Sequence, residues 1–411
     1  MARQNVLKAV QRQKLENLPV YTASFQPLGA DVNDDRVVAE DWDILGQRWL
    51  FVAVCDGHGG NLTSEYTAQM LPPRLKMVFE RVIRERFGGA LDRNNVKQAE
   101  EFIKSMLRYE ILKFDRSIGR ALEKICPLPQ DLDEQQARRL IREHEEIIER
   151  AFQGTTLSMA IVNLEHRFMW AAGVGDSTIG LSTVDADGKR HAERLCELHS
   201  FRNPREFYRV IMAHTSAEKD IVDRKNKLLG WLSMSRAIGD FPLKMDGAYA
   251  RHLFRFLPAD GYQSLADFAK RVVTPPYLTA EPSVRFVDLQ AVWENDPVLL
   301  LYTDGVDDIV DGSLVFTPGV HSGADPLDVA SSLLSETADP RVEAILGHRV
   351  EPLWSQEETR SNKAVDILGN LLGGTNAERL TMVMDEHLLT ADTGQLFQID
   401  DVSIVVAYLS R

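Results

Sequence analysis

Residues 49–60 read WLFVAVCDGHGG, an unbroken apolar run that stops at an acidic, glycine-rich turn. Seven apolar residues without a polar partner suit a strand covered on both faces, not one with a solvated side. The Asp-Gly step that follows marks a sharp exit from the strand. Downstream, 63–86 is helical in pattern, and Pro72 and Pro73 predict a kink or a division. The stretch 97–122 sets Phe102, Met106, Ile111, Phe114 and Ile118 at helical spacing. The stretch 135–152 does the same with Leu140, Ile147 and Ile148, and its charged stripe at 141–150 reads as a solvated face. Strand-like runs follow at 155–162, 167–174, 178–184, 284–289, 298–303 and 402–409, with helical runs at 326–335, 363–372 and 377–385. No regular strand–helix alternation exists, so the pattern predicts a mixed α+β fold with antiparallel sheets. The stretch 244–276 lacks a period and reads as a long surface insertion.

Composition narrows the function classes. The 411 residues are 44% hydrophobic and 26% charged, enough for a substantial core and against wholesale disorder. With 47 Lys and Arg against 61 Asp and Glu, the net charge of −14 disfavours nucleic acid and anionic membrane surfaces as partners. Cys55, Cys126 and Cys196 are too few and too widely spaced for a disulfide framework or a thiolate zinc site, which suggests a reducing, intracellular setting. Cys55 reads as a small buried hydrophobe. No apolar run approaches the roughly 18 residues of a membrane span. Residues 1–19 carry Arg3, Lys8, Arg12 and Lys14 ahead of Glu16 and lack an apolar signal core. They read as a basic first helix turn or a frayed N-terminal arm, with a weak likeness to a mitochondrial transit segment. Cytoplasmic and mitochondrial locations both stay open.

Carboxylates recur at the ends of the apolar runs. Asp56 follows FVAVC, Asp176 follows WAAGVG, Asp304 follows VLLLYT with Asp308 four residues on, Asp400 and Asp401 precede VSIVVAYL, and Asp34 and Asp35 precede Arg36. One such Asp is ordinarily a turn residue. Five sets predict convergence on one site, and gathered carboxylates stay ionised only beside a cation. Oxygen donors without a Cys or His cluster select a hard ion, Mg²⁺ or Mn²⁺, and the Gly57 carbonyl is free to join them.

The segments FVAVCDGHGG, GTTLSMAIV, AAGVGDSTIGL, LSMSRAIGD, LLLYTDGVDD and DDVSIVVAYL occur in that order and resemble the metal-dependent type 2C Ser/Thr protein phosphatases. The likeness is greatest to the pyruvate dehydrogenase phosphatase-like branch, through NDDR at 33–36, HSFRNPREF at 199–207, 226–244, TPPYLTAEPSV at 274–284 and GGTNAERL at 373–380. It implies a four-layer sandwich of two central antiparallel sheets flanked by helices, spanning 20–411 as one catalytic domain. It implies hydrolysis of phosphoserine and phosphothreonine in a protein substrate by water activated between two Mg²⁺ or Mn²⁺ ions, with no phospho-enzyme. Carried over by position, Asp56 resembles the carboxylate shared by both ions, and Gly57 a carbonyl ligand. Asp304 and Asp400 resemble ligands of one ion; Asp34 and Asp35 occupy the pair that holds the other through water. Asp176 and Asp308 match positions tied to a weaker third ion, and His58 matches the general acid.

Four departures stand out. Ala30 occupies the place of the phosphate-binding Arg, which leaves Arg36 as the candidate for that task, against a reading as a sheet-edge salt bridge. Asp34 is one methylene shorter than the usual Glu, Ile399 precedes Asp400 where Arg is common, and Leu198 stands where an Asp often precedes His199. Arg236 and Asp240 read as structural, Asp240 as a turn or cap, and Trp231, Phe241 and Phe254 as packing for the insertion. Two other functions stay open: a catalytically impaired phosphatase-like binding domain, and a metal phosphoesterase for small molecules.

Overall fold

The computed structural model describes residues 1–15, 17–26, 32–215, 218, 220–258, 265–313, 315–317, 319–355, 362–385 and 399–410. Ala30 and residues 259–264 of the expected insertion lie outside them.

The opening run is the strand Gln47–Cys55, and its two faces explain its composition. Trp49, Phe51, Ala53 and Cys55 point to one side and pack with Leu75, Phe79, Leu107 and Ile111 of the helices Leu62–Arg86 and Val96–Ile125. Leu50, Val52 and Val54 point to the other, against Ile179, Leu301 and Val405 of a second sheet. The first sheet has five antiparallel strands in the order Ser283–Asp288, Phe168–Val174, Leu157–Asn163, Gln47–Cys55, Arg36–Ile44. The second has six, in the order Gln11–Lys14, Val20–Phe25, Val402–Tyr408, Val298–Tyr302, Thr178–Val184, Arg190–Arg194. Its outer face sets Leu300, Tyr302 and Val406 against Leu327, Ile367 and Leu368 of the helices Pro326–Ser332 and Lys363–Leu372. Helix, sheet, sheet, helix: the four layers follow from strands apolar on both sides. Each large side chain buried this way contributes about 1.5–3 kcal/mol. No helix among the described residues is long and apolar enough to cross a membrane.

Four local expectations need correction. Leu62–Arg86 is a single helix, so Pro72 and Pro73 do not divide it, and Leu71, Pro72, Leu75, Val78 and Phe79 are all held in the core. The stretch 135–152 is two helices, Glu134–Glu143 and Glu145–Phe152, parted at His144, whose φ of −136° is not helical. Of the two readings of residues 1–19, the frayed arm is the one that fails. Ala2–Ala9 is a helix whose Val6 is fully buried, Arg3 pairs with Glu351, and Gln11–Lys14 is an edge strand. The insertion is not superficial: Tyr249, Leu253, Phe254, Leu257 and Leu265 enter the core beneath the first sheet. Phe241 joins them, and the Trp231 ring lies 4.6 Å from that of Phe268, tilted by 32°.

Candidate active site

Strand register places the acidic turns along one edge. Arg36 lies opposite Cys55, Val54 opposite Ser158, and Leu157 opposite Val174 in the first sheet. In the second, Tyr302 lies opposite both Thr178 and Ile404. Asp34–Asp35, Asp56, Asp176, Asp304 and Asp400–Asp401 therefore all cap strands at the same edge of their sheets. Hydrogen bonds join the two edges. The Asp304 N–H reaches Asp56 Oδ2 at 3.4 Å, Thr303 Oγ1 donates to Asp35 Oδ2 at 2.8 Å, and the Asp34 N–H donates to Asp401 Oδ2 at 2.7 Å. Thr156 N–H and Thr155 Oγ1 both donate to the Asp56 carbonyl, at 2.8 and 2.9 Å. A Cβ on Gly57 would collide with the Asp34 carbonyl and Ser64 Oγ, so only glycine permits this approach.

The fields converge as the backbones do. Burial and then the charges of Asp304, Asp35, Asp400 and Asp176 push the Asp56 carboxyl well above its ordinary range. Burial and then Asp176, Asp400 and Asp308 do the same to Asp304. Burial lifts Asp35 to about 8, and Asp176, Asp308 and Asp401 each to about 6. Asp34 and Asp400 are raised too, chiefly by burial. Asp176 Oδ1 is buried with no hydrogen-bond partner. A set of oxygen donors this crowded stays ionised at neutral pH only when outside positive charge neutralises it. Its chemistry fits hard divalent cations. The expectation of a common cradle is met by the strand ends but not by the side chains. Among the described residues, no three or more His, Cys, Asp or Glu side chains form a ready ligand set. Asp56, Asp401 and Asp35 spend oxygens on a backbone N–H or a hydroxyl instead.

Residues 73–343 match the profile described as Protein phosphatase 2C, about two thirds of the chain. The chain belongs to the protein phosphatase 2C family. It is 33% identical over 162 residues to the human mitochondrial [pyruvate dehydrogenase [acetyl-transferring]]-phosphatase 1, covering 38% of this chain and 28% of that one. It is 25% identical over 406 residues to a protein phosphatase 2C homologue of Schizosaccharomyces pombe, covering 92% and 77%. The chain thus spans well under half the length of the human relative. Serine-threonine phosphatase 2C from Toxoplasma gondii shares the fold at a TM-score of 0.51 and 16% identity, with 97% of this chain and 98% of that one covered.

Within this phosphatase 2C fold, His58 stands beside Asp56 with Nε2 2.8 Å from Asp240 Oδ2. Asp240 takes a left-handed φ of 53°, fixed by its N–H to the Gln153 carbonyl at 3.0 Å. Burial opposes the His58 imidazolium, but Asp240 outweighs it and the pKa is raised. His58 Nδ1 is buried without a partner. A Cβ on Gly154 would strike both Asp240 Oδ2 and His58 Nε2, so the pair needs glycine beside it.

Arg36 is the expectation that fails. Its guanidinium is committed to Glu65 and to the carbonyls of Asn33, at 2.6 Å, and Asp35, at 2.7 Å. It staples the acidic turn to the helix Leu62–Arg86 and is not presented to a phosphate. Sequence reasoning also undervalued Asp240, Asp401 and Asp307. Asp307 is pushed up to about 8 by burial, and its Oδ1 lacks a partner. The repeated acid in LLLYTDGVDD was a visible signal for Asp307; nothing local signalled that Asp240 meets His58. Cys55 is buried, its thiol pushed up to about 12 by burial, as a packing residue would be.

Proposed function

We propose that this chain is a metal-dependent protein serine/threonine phosphatase that hydrolyses phosphoserine and phosphothreonine in protein substrates. The observation that carries the reading is the edge where Asp35, Asp56, Asp176 and Asp304 are buried together without a matching set of cations from the protein. Asp34, Asp35, Asp56, Asp304 and Asp400, with the Gly57 carbonyl, would hold two Mg²⁺ or Mn²⁺ ions, and Asp176 and Asp308 a weaker third. Bound there, the ions supply Lewis-acid activation of water and neutralise phosphoryl charge. The chain's own residues do the rest. Thr155, Thr156 and the Asp304 N–H fix Asp56 in place. Asp240 holds His58 through Nε2, which leaves the Nδ1 proton to be given to the departing serine or threonine oxygen. Residues 20–411 constitute the catalytic domain, with 1–19 folded onto it. An intracellular site, cytoplasmic or mitochondrial, accords with three free buried cysteines and with mitochondrial relatives.

The test is an assay of purified protein on a phosphoserine peptide and on p-nitrophenyl phosphate, with Mn²⁺, with Mg²⁺ and with EDTA. Metal-dependent turnover of the peptide is expected. Turnover of the small ester alone would favour a small-molecule phosphoesterase, and turnover of neither would leave a binding domain.

A further inference from the structure

Among the described residues, the basic side chains whose fields bear most on the acidic site are Arg36, His58, Arg194 and Arg202. Three are spent within the protein. Arg36 is held by Glu65 and two carbonyls, His58 by Asp240, and Arg194 by Asp325 at 3.2 Å. Arg202 is exposed, and among the described residues it makes no hydrogen bond or ion pair, although its charge reaches Asp308 and Asp311.

The backbone beneath Arg202 is firmly placed. Its neighbour Phe201 is 4% exposed and anchors the turn inward. The Asn203 N–H closes that turn on the Ser200 carbonyl at 3.1 Å, and the Asn203 side chain then caps the helix Pro204–Ala213. Three residues before Arg202, His199 bonds twice to Gly175, the residue preceding Asp176. The His199 N–H donates to the Gly175 carbonyl at 2.9 Å, and the Gly175 N–H donates to His199 Nδ1 at 3.1 Å. His199 Nε2 lies 2.8 Å from Ser283 Oγ. Burial pushes the His199 pKa down to about 3, so the ring is neutral and Nδ1 can accept. The turn fixes where the Arg202 side chain starts and leaves its guanidinium uncommitted, and an unpaired guanidinium at the rim of an acidic site has an anion as its natural partner.

We propose that Arg202 anchors the phosphoryl group of the bound phosphomonoester, the part that Arg36 is not free to play. The proposal rests on the phosphatase reading above. A planar guanidinium gives two parallel N–H donors to a phosphate, which a lysine ammonium cannot match.

The experiment is calorimetric titration of inorganic phosphate into the Mn²⁺-loaded wild type, Arg202→Gln and Arg202→Lys, with KM and kcat on a phosphoserine peptide and on p-nitrophenyl phosphate. Arg202→Gln is expected to weaken phosphate binding by about 10- to 100-fold and to raise both KM values by a similar factor, with a smaller change in kcat. Arg202→Lys is expected to recover part of the loss. Unchanged phosphate affinity in Arg202→Gln would overturn the proposal, as would a KM change confined to the peptide, which would make Arg202 a reader of flanking residues. Should the wild type bind phosphate through Arg202 yet turn over neither substrate, the anchor stands and the phosphatase reading falls. A wild type that binds no phosphate at all overturns the anchor.

Discussion

Two regions of this molecule bury carboxylates, and they treat them in opposite ways. Glu206, on the helix Pro204–Ala213, is 3% exposed and accepts from Arg236, Arg209 and Ser235. Burial pulls its pKa up, but those donors outweigh burial and hold it at about 2. Asp35 is 5% exposed, receives a hydroxyl from Thr303, and sits among Asp400 and Asp401, so it rises to about 8. The first carboxylate is satisfied from within and serves the fold. The second belongs to a group the chain leaves short of positive charge. A folded protein keeps such a group only where something else completes it, and this is the physical content of calling the edge a site.

The contrast breaks most visibly under substitution. Asp304→Asn removes one member of the crowded set. Catalytic turnover with Mn²⁺ is expected to fall by at least about 10²–10³-fold, while the metal-free protein resists denaturant no less than wild type, since an amide stays neutral where burial and neighbouring acids disfavour a carboxylate. Glu206→Gln is expected to do the reverse. It leaves Arg236 and Arg209 facing a neutral amide, and costs about 3 kcal/mol of stability by urea titration, with activity per folded molecule largely retained. Should Asp304→Asn unfold as readily as Glu206→Gln, both regions would be structural and the distinction would fail.

Acidity sharpens the same contrast. In the metal-free protein, Asp35 at about 8 and Asp176, Asp308 and Asp401 at about 6 all lie above the ordinary 3.8. Between these limits the folded state binds more protons than the unfolded one, so stability falls as pH rises from about 4 to about 8. Glu206, held at about 2 against 4.5, contributes stability above pH about 4.5 that is lost as pH falls through 2. Cations at the carboxylate edge should offset the first decline and leave the second untouched. With Mn²⁺ at a hundred times its Kd, the gain is about 2.7 kcal/mol. Thermal melts from pH 4 to 8, with Mn²⁺ and with EDTA, measure it. A metal-free stability that is flat over this range would show the carboxylates to be better solvated than their burial indicates.

The sheets were legible because strand segments covered on both faces must be apolar, as residues 49–55 of Gln47–Cys55 and the strand Val298–Tyr302 are. The acidic edge was legible because each strand announces its own end. What escaped was set by distant partners. Gln11–Lys14 is exposed at every residue and has no strand signature; it is a strand because it pairs with Val20–Phe25. The interval 244–276 has no period because its helices are short and buried piecemeal in two clusters. Arg36 looked available because nothing near it in sequence reveals Glu65, 29 residues away.

The pairing of His58 with Asp240, 182 residues apart, offers the finest test. Asp240→Asn keeps a side chain of the same shape beside Nε2 but removes the charge that raises the His58 pKa. The imidazolium then loses its proton at lower pH, and less acid is present near neutrality. A serine or threonine alkoxide is a poor leaving group and needs that proton; a p-nitrophenolate does not. The variant should therefore lose about tenfold in kcat on a phosphoserine peptide, a fraction of what a full general acid supplies, and little on p-nitrophenyl phosphate. The alkaline limb of its pH–rate profile on the peptide should move to lower pH. Equal losses on both substrates, with an unmoved limb, would mean that Asp240 only braces the turn after Gly239, and that the proton comes from elsewhere.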